Sequence, residues 1–108
     1  MEERRKHPRV PYGAWVEDMT EGGLGFHMAQ NLSMGGLLLR AKGTRPPIGH
    51  RVRLRLLIEN ERRVMTVEGE VIRHVSQQPG DFAVHFDPLD DTQREFLQEL
   101  IREAVANA

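Results

Sequence analysis

Apolar and polar positions alternate along most of this chain, and the period changes near its end. Val52, Leu54, Leu56 and Ile58 alternate with Arg51, Arg53 and Arg55, which predicts a strand with one greasy and one basic face. Met65, Val67, Gly69, Val71, Arg73 and Val75 fall on one face of the next predicted strand. Further upstream, Leu24, Phe26 and Met28 alternate with Gly25, His27 and Ala29, the pattern of a half-buried strand. Tyr12 to Asp18, Leu37 to Arg40, and the stretch holding Phe82, Val84 and Phe86 complete the set. Turn chemistry separates them at Glu21-Gly22-Gly23, Asn31 to Gly36, Arg45 to Gly49, Asn60, and Gln77 to Asp81.

The two ends read differently. Pro8 and Pro11 bracket an extended segment, because proline disfavours helix in itself and in the residue before it. At the other end Phe96, Leu97, Leu100, Ile101, Ala104 and Val105 repeat at helical spacing, with Arg94, Glu95, Glu99, Arg102 and Glu103 between them. Asp90, followed three residues later by Gln93, predicts a capping box at the start of that helix. Several short strands and one terminal helix predict a small closed β-barrel. The expected organisation is one domain, with an arm at 1–11, a barrel at 12–88 and a helical end at 89–108.

Composition narrows the chemistry. A chain of 108 residues buries roughly 65% of its unfolded surface, enough for one core. The absence of cysteine removes disulfides and thiolate zinc sites. The five histidines (His7, His27, His50, His74 and His85) have no His-Glu-x-x-His spacing, so no metal site is expected. Ser33 lacks a nucleophile elbow and no glycine-rich phosphate loop opens a helix, so no enzyme activity is expected either. No apolar run approaches the roughly 18 residues that span a bilayer. Met1 to Lys6 is acidic and then basic, unlike a secretory signal, so the expected address is the cytoplasm. The formal charge of −1 argues against a duplex-binding role but not against a compact anion site.

Charge placement is more telling than the sum. Arg4, Arg5, Lys6, His7 and Arg9 crowd the first residues, and Arg5 to Arg9 forms an Arg-x-x-x-Arg pattern. Between two predicted strands, Asn31-Leu32-Ser33-Met34-Gly35-Gly36 forms an Asn-x-Ser-x-x-Gly pattern. In this order and strand context the two motifs resemble those of the PilZ domain family. The resemblance runs from about Glu3 to the helix. It takes in Gly35 to Leu39, the Pro47-Ile48-Gly49 loop, the strand Val67 to Val71, and Ala83 to Phe86.

That resemblance implies a six-stranded antiparallel barrel with a C-terminal helix, and a cyclic di-GMP site on its outside. The arm would wrap over the ligand, which would rest against the second motif. The residue types suit the ligand's two phosphates and two guanines. The arginine fork pairs bidentately with phosphate and with guanine O6 and N7, as Arg5 and Arg9 would. Asn31 would accept from a guanine N–H, Ser33 would supply a hydroxyl, and Gly35 and Gly36 would let backbone approach the ligand. Arg73 falls where the family places a side chain flanking the guanine; it is either a stacking guanidinium or a strand residue of no special role. Arg4 is either a solvated charge or, as the family pattern implies, the residue that favours two intercalated ligands per chain over one. Ala83 stands where the family often has glycine.

Three readings follow. One is a cyclic di-GMP receptor whose arm changes on binding and signals to a downstream protein. Another is a PilZ-like adaptor of pilus or motility machinery that no longer binds ligand. A third, an OB-fold-like nucleic-acid binder, wants stacking aromatics amid basic residues, and aromatics make up only 6% of this chain.

Overall fold

The computed structural model describes residues 9–20, 25–43, 45–58, 63–75 and 80–106. Its elements are β1 (Val10–Asp18), β2 (Gly25–Leu32), β3 (Gly36–Ala41), β4 (Arg51–Ile58), β5 (Arg63–His74), β6 (Asp81–Phe86) and α1 (Asp91–Ala106). The six strands close into an antiparallel barrel in the order β1-β2-β3-β6-β5-β4. The expected arm meets the barrel early, since β1 begins at Val10.

Side-chain alternation builds the core. On β4, Val52, Leu54 and Leu56 are buried while Arg51, Arg53 and Arg55 face solvent. Phe82, Val84 and Phe86 of β6 point inward with Leu37, Leu39, Val67 and Val71. Each large apolar side chain buried in this way contributes about 1.5–3 kcal/mol. Phe96, Leu97 and Leu100 carry the apolar stripe of α1 into the same core.

The capping box forms as expected. The Gln93 amide N–H donates to Asp90 Oδ1 (2.7 Å), and the Asp90 amide N–H donates to Gln93 Oε1 (3.0 Å). Gln93 Nε2 also donates to the Thr66 carbonyl (3.1 Å), which ties the helix start to β5.

Two faces differ from expectation. On β2 the buried positions are His27, Ala29 and Leu32, while Phe26 is 48% exposed. One polar partner and one aromatic contact accommodate His27 in the interior, where its Nδ1 is buried without a hydrogen bond among the described residues. Its Nε2–H donates to Asp18 (3.0 Å), and its ring meets Phe82 edge-on at 5.2 Å. On β5 the register shifts between Val71 and Arg73. Ile72 and Arg73 are consequently both exposed, so Arg73 leaves the inward face that simple alternation assigns to it.

The barrel closes unevenly. β3 pairs with β6 from Gly36↔His85 to Arg40↔Asp81, whereas β1 meets β4 only at Glu17↔Arg55 and Asp18↔Leu54. Helix α1 packs beside β1, β4 and β5, next to this short seam.

Candidate functional site

The second motif spans the end of β2, a tight turn and the first residue of β3. Ser33 is buried and its hydroxyl is engaged within the turn. It accepts from the backbone N–H of Gly35 (3.1 Å) and of Gly36 (3.2 Å). The Ser33 N–H donates to the Gly36 carbonyl (2.9 Å), and the Phe86 N–H donates to the Gly35 carbonyl (2.9 Å). Ser33 therefore shapes the loop rather than presenting an open hydroxyl.

Gly36 has a structural reason of its own. A Cβ there would lie 2.0 Å from the Val84 carbonyl oxygen. The close approach of β3 to β6, and not a positive φ, excludes a side chain at this position. Among the described residues the positive-φ glycine is Gly49, where the chain turns into β4 and its N–H donates to the Val71 carbonyl (2.7 Å).

Asn31 owes its direction to a second register shift, between Ala29 and Asn31 on β2. Beyond that bulge Asn31 lies across from Leu38, away from the buried positions Ala29 and Leu32. Among the described residues no protein group hydrogen-bonds its amide.

Registers then connect four strands in one row: Asn31 opposite Leu38, Leu38 opposite Ala83, and Ala83 opposite Arg73. Three strand spacings of about 4.8 Å place the row's ends about 14 Å apart. Bulges in β2 and β5 thus flank the smooth β3–β6 pair and turn extra side chains outward on either side of it.

A cleft of about 360 Å³ lies over this row, and Arg9, Asn31, Ser33, Gly35 and Gly36 are among its lining residues. Leu38, Ile72, Ala83 and His85 also line it. The sequence reading missed Leu38, Ile72 and His85; outward positions on β3 and β6 were open to alternation, but Ile72 needed the bulge. Arg73 does not line the cleft itself and stands beside it at the end of the row. Arg4 and Arg5 lie outside the described residues.

Next to the cleft, Asp81 is buried against Arg40, whose Nε donates to Oδ1 at 2.7 Å. That hydrogen bond and the carboxylate charge hold the Arg40 guanidinium above its ordinary pKa. Arg45 donates to the Asp81 carbonyl (3.1 Å), and His74 Nε2 donates to the Pro46 carbonyl (2.7 Å). These bonds fasten the β3–β4 loop against the site's far edge. Among the described residues no cluster of three or more acidic or histidine side chains is placed to hold a metal ion, and no helix is long and apolar enough to cross a membrane.

Solved structures share this architecture. The PilZ domain with c-di-GMP of YcgR from Escherichia coli superposes with a TM-score of 0.79 at 15% identity, covering 97% of this chain and 94% of that one. The Bacillus subtilis inhibitor of motility, MotI/DgrA, matches with a TM-score of 0.69 at 19% identity, over 96% of this chain and 53% of that one. The PilZ domain of CeSA from a cellulose-synthesizing bacterium gives 0.63 at 20% identity, over 92% and 96% of the two chains. No curated protein matches the sequence. A family model for the PilZ domain matches residues 3–103, from the basic arm into the last helix, and by that match the chain belongs to the PilZ domain family.

Proposed function

We propose that this PilZ domain is a cytoplasmic cyclic di-GMP receptor without catalytic activity, which binds the messenger on the barrel exterior and relays binding through its N-terminal arm to a partner protein. The observation that carries this reading is the convergence of Arg9, Asn31 and the Gly35-Gly36 loop on one exterior cleft. A guanidinium, an amide with no competing protein bond among the described residues, and a flat backbone turn are the groups that a phosphate and a guanine edge require. Arg5 joins Arg9 on the phosphates, and Arg73 stacks at the far end of the row. Ser33 positions the loop. A related domain, that of YcgR, was solved with this ligand. Arg4 adds a guanidinium that one ligand does not need, so two intercalated ligands per chain are expected.

Calorimetric titration tests the reading. Cyclic di-GMP should bind with a stoichiometry of two, more tightly than GMP or cyclic di-AMP, and Arg4→Leu should move the stoichiometry toward one. Arg9→Ala should weaken binding by roughly 1.5–3 kcal/mol, the scale of a charge-assisted contact, at an unchanged melting temperature. No heat with any nucleotide would favour the adaptor role instead.

A further inference from the structure

His85 stands where the candidate cleft meets the charged outer face of β4 and β5. Registers place Gly36 opposite His85, His85 opposite Glu70, and Glu70 opposite Arg51. Residues two apart on a strand share a face, so His85 points the same way as Ala83. Both line the cleft, and His85 is exposed. Among the described lining residues only Arg9 and His85 are able to carry positive charge. The adjoining turn offers an anion little, because the Gly35 and Gly36 N–H groups already donate to the Ser33 hydroxyl (3.1 and 3.2 Å). A phosphate resting beside that turn must find its donors on side chains.

Charge reaches the imidazole from each neighbouring element. From β5, Glu70 faces it directly, Glu68 lies on one diagonal opposite Arg53, and Arg73 stands on the other opposite Ala83. From β3, the facing residue is Gly36, which carries no charge. Just past β6, Asp87 is paired with Arg51 of β4, whose Nη1 donates to Asp87 Oδ1 at 3.0 Å. That hydrogen bond, with the charges of Arg51 and His85 added, holds the Asp87 carboxyl below its ordinary value against some desolvation. Arg51 is thus engaged by Asp87. With His85 neutral, the charge facing this side of the cleft is the Glu70 carboxylate, which repels an anion. Protonation of His85 offsets that charge and turns both ring nitrogens into donors.

We propose that His85 is a further contact for the messenger: protonated, it donates to a phosphate oxygen seated beside the Gly35-Gly36 turn, so that affinity for cyclic di-GMP rises as pH falls. This role rests on the receptor reading and adds to it a residue outside both sequence motifs. The ligand's phosphodiesters stay ionised across the range in which histidine changes charge. An anion beside the ring favours the imidazolium, so complex formation takes up a proton and acidification tightens it.

Calorimetric titration of the full chain with cyclic di-GMP, at about pH 8 and at about pH 5.5, tests this role. The parent should bind about fivefold more tightly at the lower pH, a little less than one full charge-assisted hydrogen bond. His85→Gln should lose most of that gain; the slope it keeps belongs to other groups, His7 of the arm among them. His85→Arg carries a fixed charge and should bind at about pH 8 as tightly as the parent does at about pH 5.5. Titrations repeated in two buffers of different ionisation enthalpy should show proton uptake by the parent and less by His85→Gln. Melting temperatures should match throughout, because the side chain is exposed. An equal pH slope in the parent and His85→Gln, or weaker binding by His85→Arg than by His85→Gln at about pH 8, would overturn the proposal and leave the receptor reading standing. No binding by the parent at either pH would overturn both.

Discussion

β3 and β6 register at five successive positions, and on the opposite side of the ring β1 and β4 register at two. The first junction is held by backbone, so closely that Gly36 has no room for a methyl group. The second adds side chains to its two backbone pairs. Helix α1 brings Leu100 against the seam, and Asp18 gathers the Thr20 N–H (2.9 Å) and the His27 Nε2–H (3.0 Å), while the Arg53 N–H donates to the Thr20 hydroxyl (3.1 Å). A barrel closed by a continuous ladder everywhere has no free edge. This one concentrates its regular pairing beneath the candidate site and completes the short seam with the helix.

Removing the seam's apolar plug should have the largest effect. Leu100 is 1% exposed, so Leu100→Ala should cost about 2–5 kcal/mol of stability in chemical denaturation, from lost burial plus a cavity. A loss well under that range would mean that the helix does not close the seam. On the proposed function, any remaining folded protein should keep its affinity for cyclic di-GMP, because the plug is opposite the candidate cleft.

Gly36→Ala attacks the other junction. The new methyl must push β3 away from β6, at a cost of about 1–3 kcal/mol, and unlike Leu100→Ala it should also weaken nucleotide binding. Equal melting temperatures for Gly36→Ala and the parent would remove the close-approach argument.

Asp90→Ala deletes half of the capping box and should cost about 1 kcal/mol, with the remaining fold intact. Thermal melts followed at 222 nm would check this; no change would place the helix start under the control of Gln93 and Thr66 alone.

The smallest effect is a pH dependence at the seam. Burial pushes the Asp18 carboxyl upward, but hydrogen bonds from His27 and Thr20 outweigh it, so its folded pKa lies below the ordinary 3.8. The unfolded chain therefore takes up the proton first. The stabilisation is fully present above the ordinary value and is lost as pH falls through the folded one. Asp18→Asn should flatten the acid limb of the stability curve below about pH 4 and leave the neutral limb's slope alone. An unchanged acid limb would assign acid unfolding to other carboxylates.

Much of this was open to inspection in the sequence. Strict alternation on β4 needed no context, because Val52, Leu54 and Leu56 are apolar and the arginines between them strongly solvated. Helix α1 declared itself through its 3.6-residue stripe and its cap, both local properties. The Asn31 to Gly36 motif marked a turn that lines the exterior cleft. What alternation could not supply was the effect of one inserted residue, since a bulge reverses every assignment beyond it. That is why Arg73 was placed on the inner face, and why Ile72 went unnoticed.

Sequence by itself determined the strands, the helix, its cap and the turn between β2 and β3, because each depends on neighbours a few residues away. Tertiary structure alone decided the rest. His27 could turn inward because Asp18 and Phe82, distant in sequence, provide a hydrogen bond and a ring edge. Ser33 became a brace once its turn closed over it. Gly36 is held to glycine by the carbonyl of Val84, a residue on another strand. The β1–β4 seam stays short because β4 diverges after two pairs, and Leu100 of α1, distant in sequence from both strands, fills the space beside it.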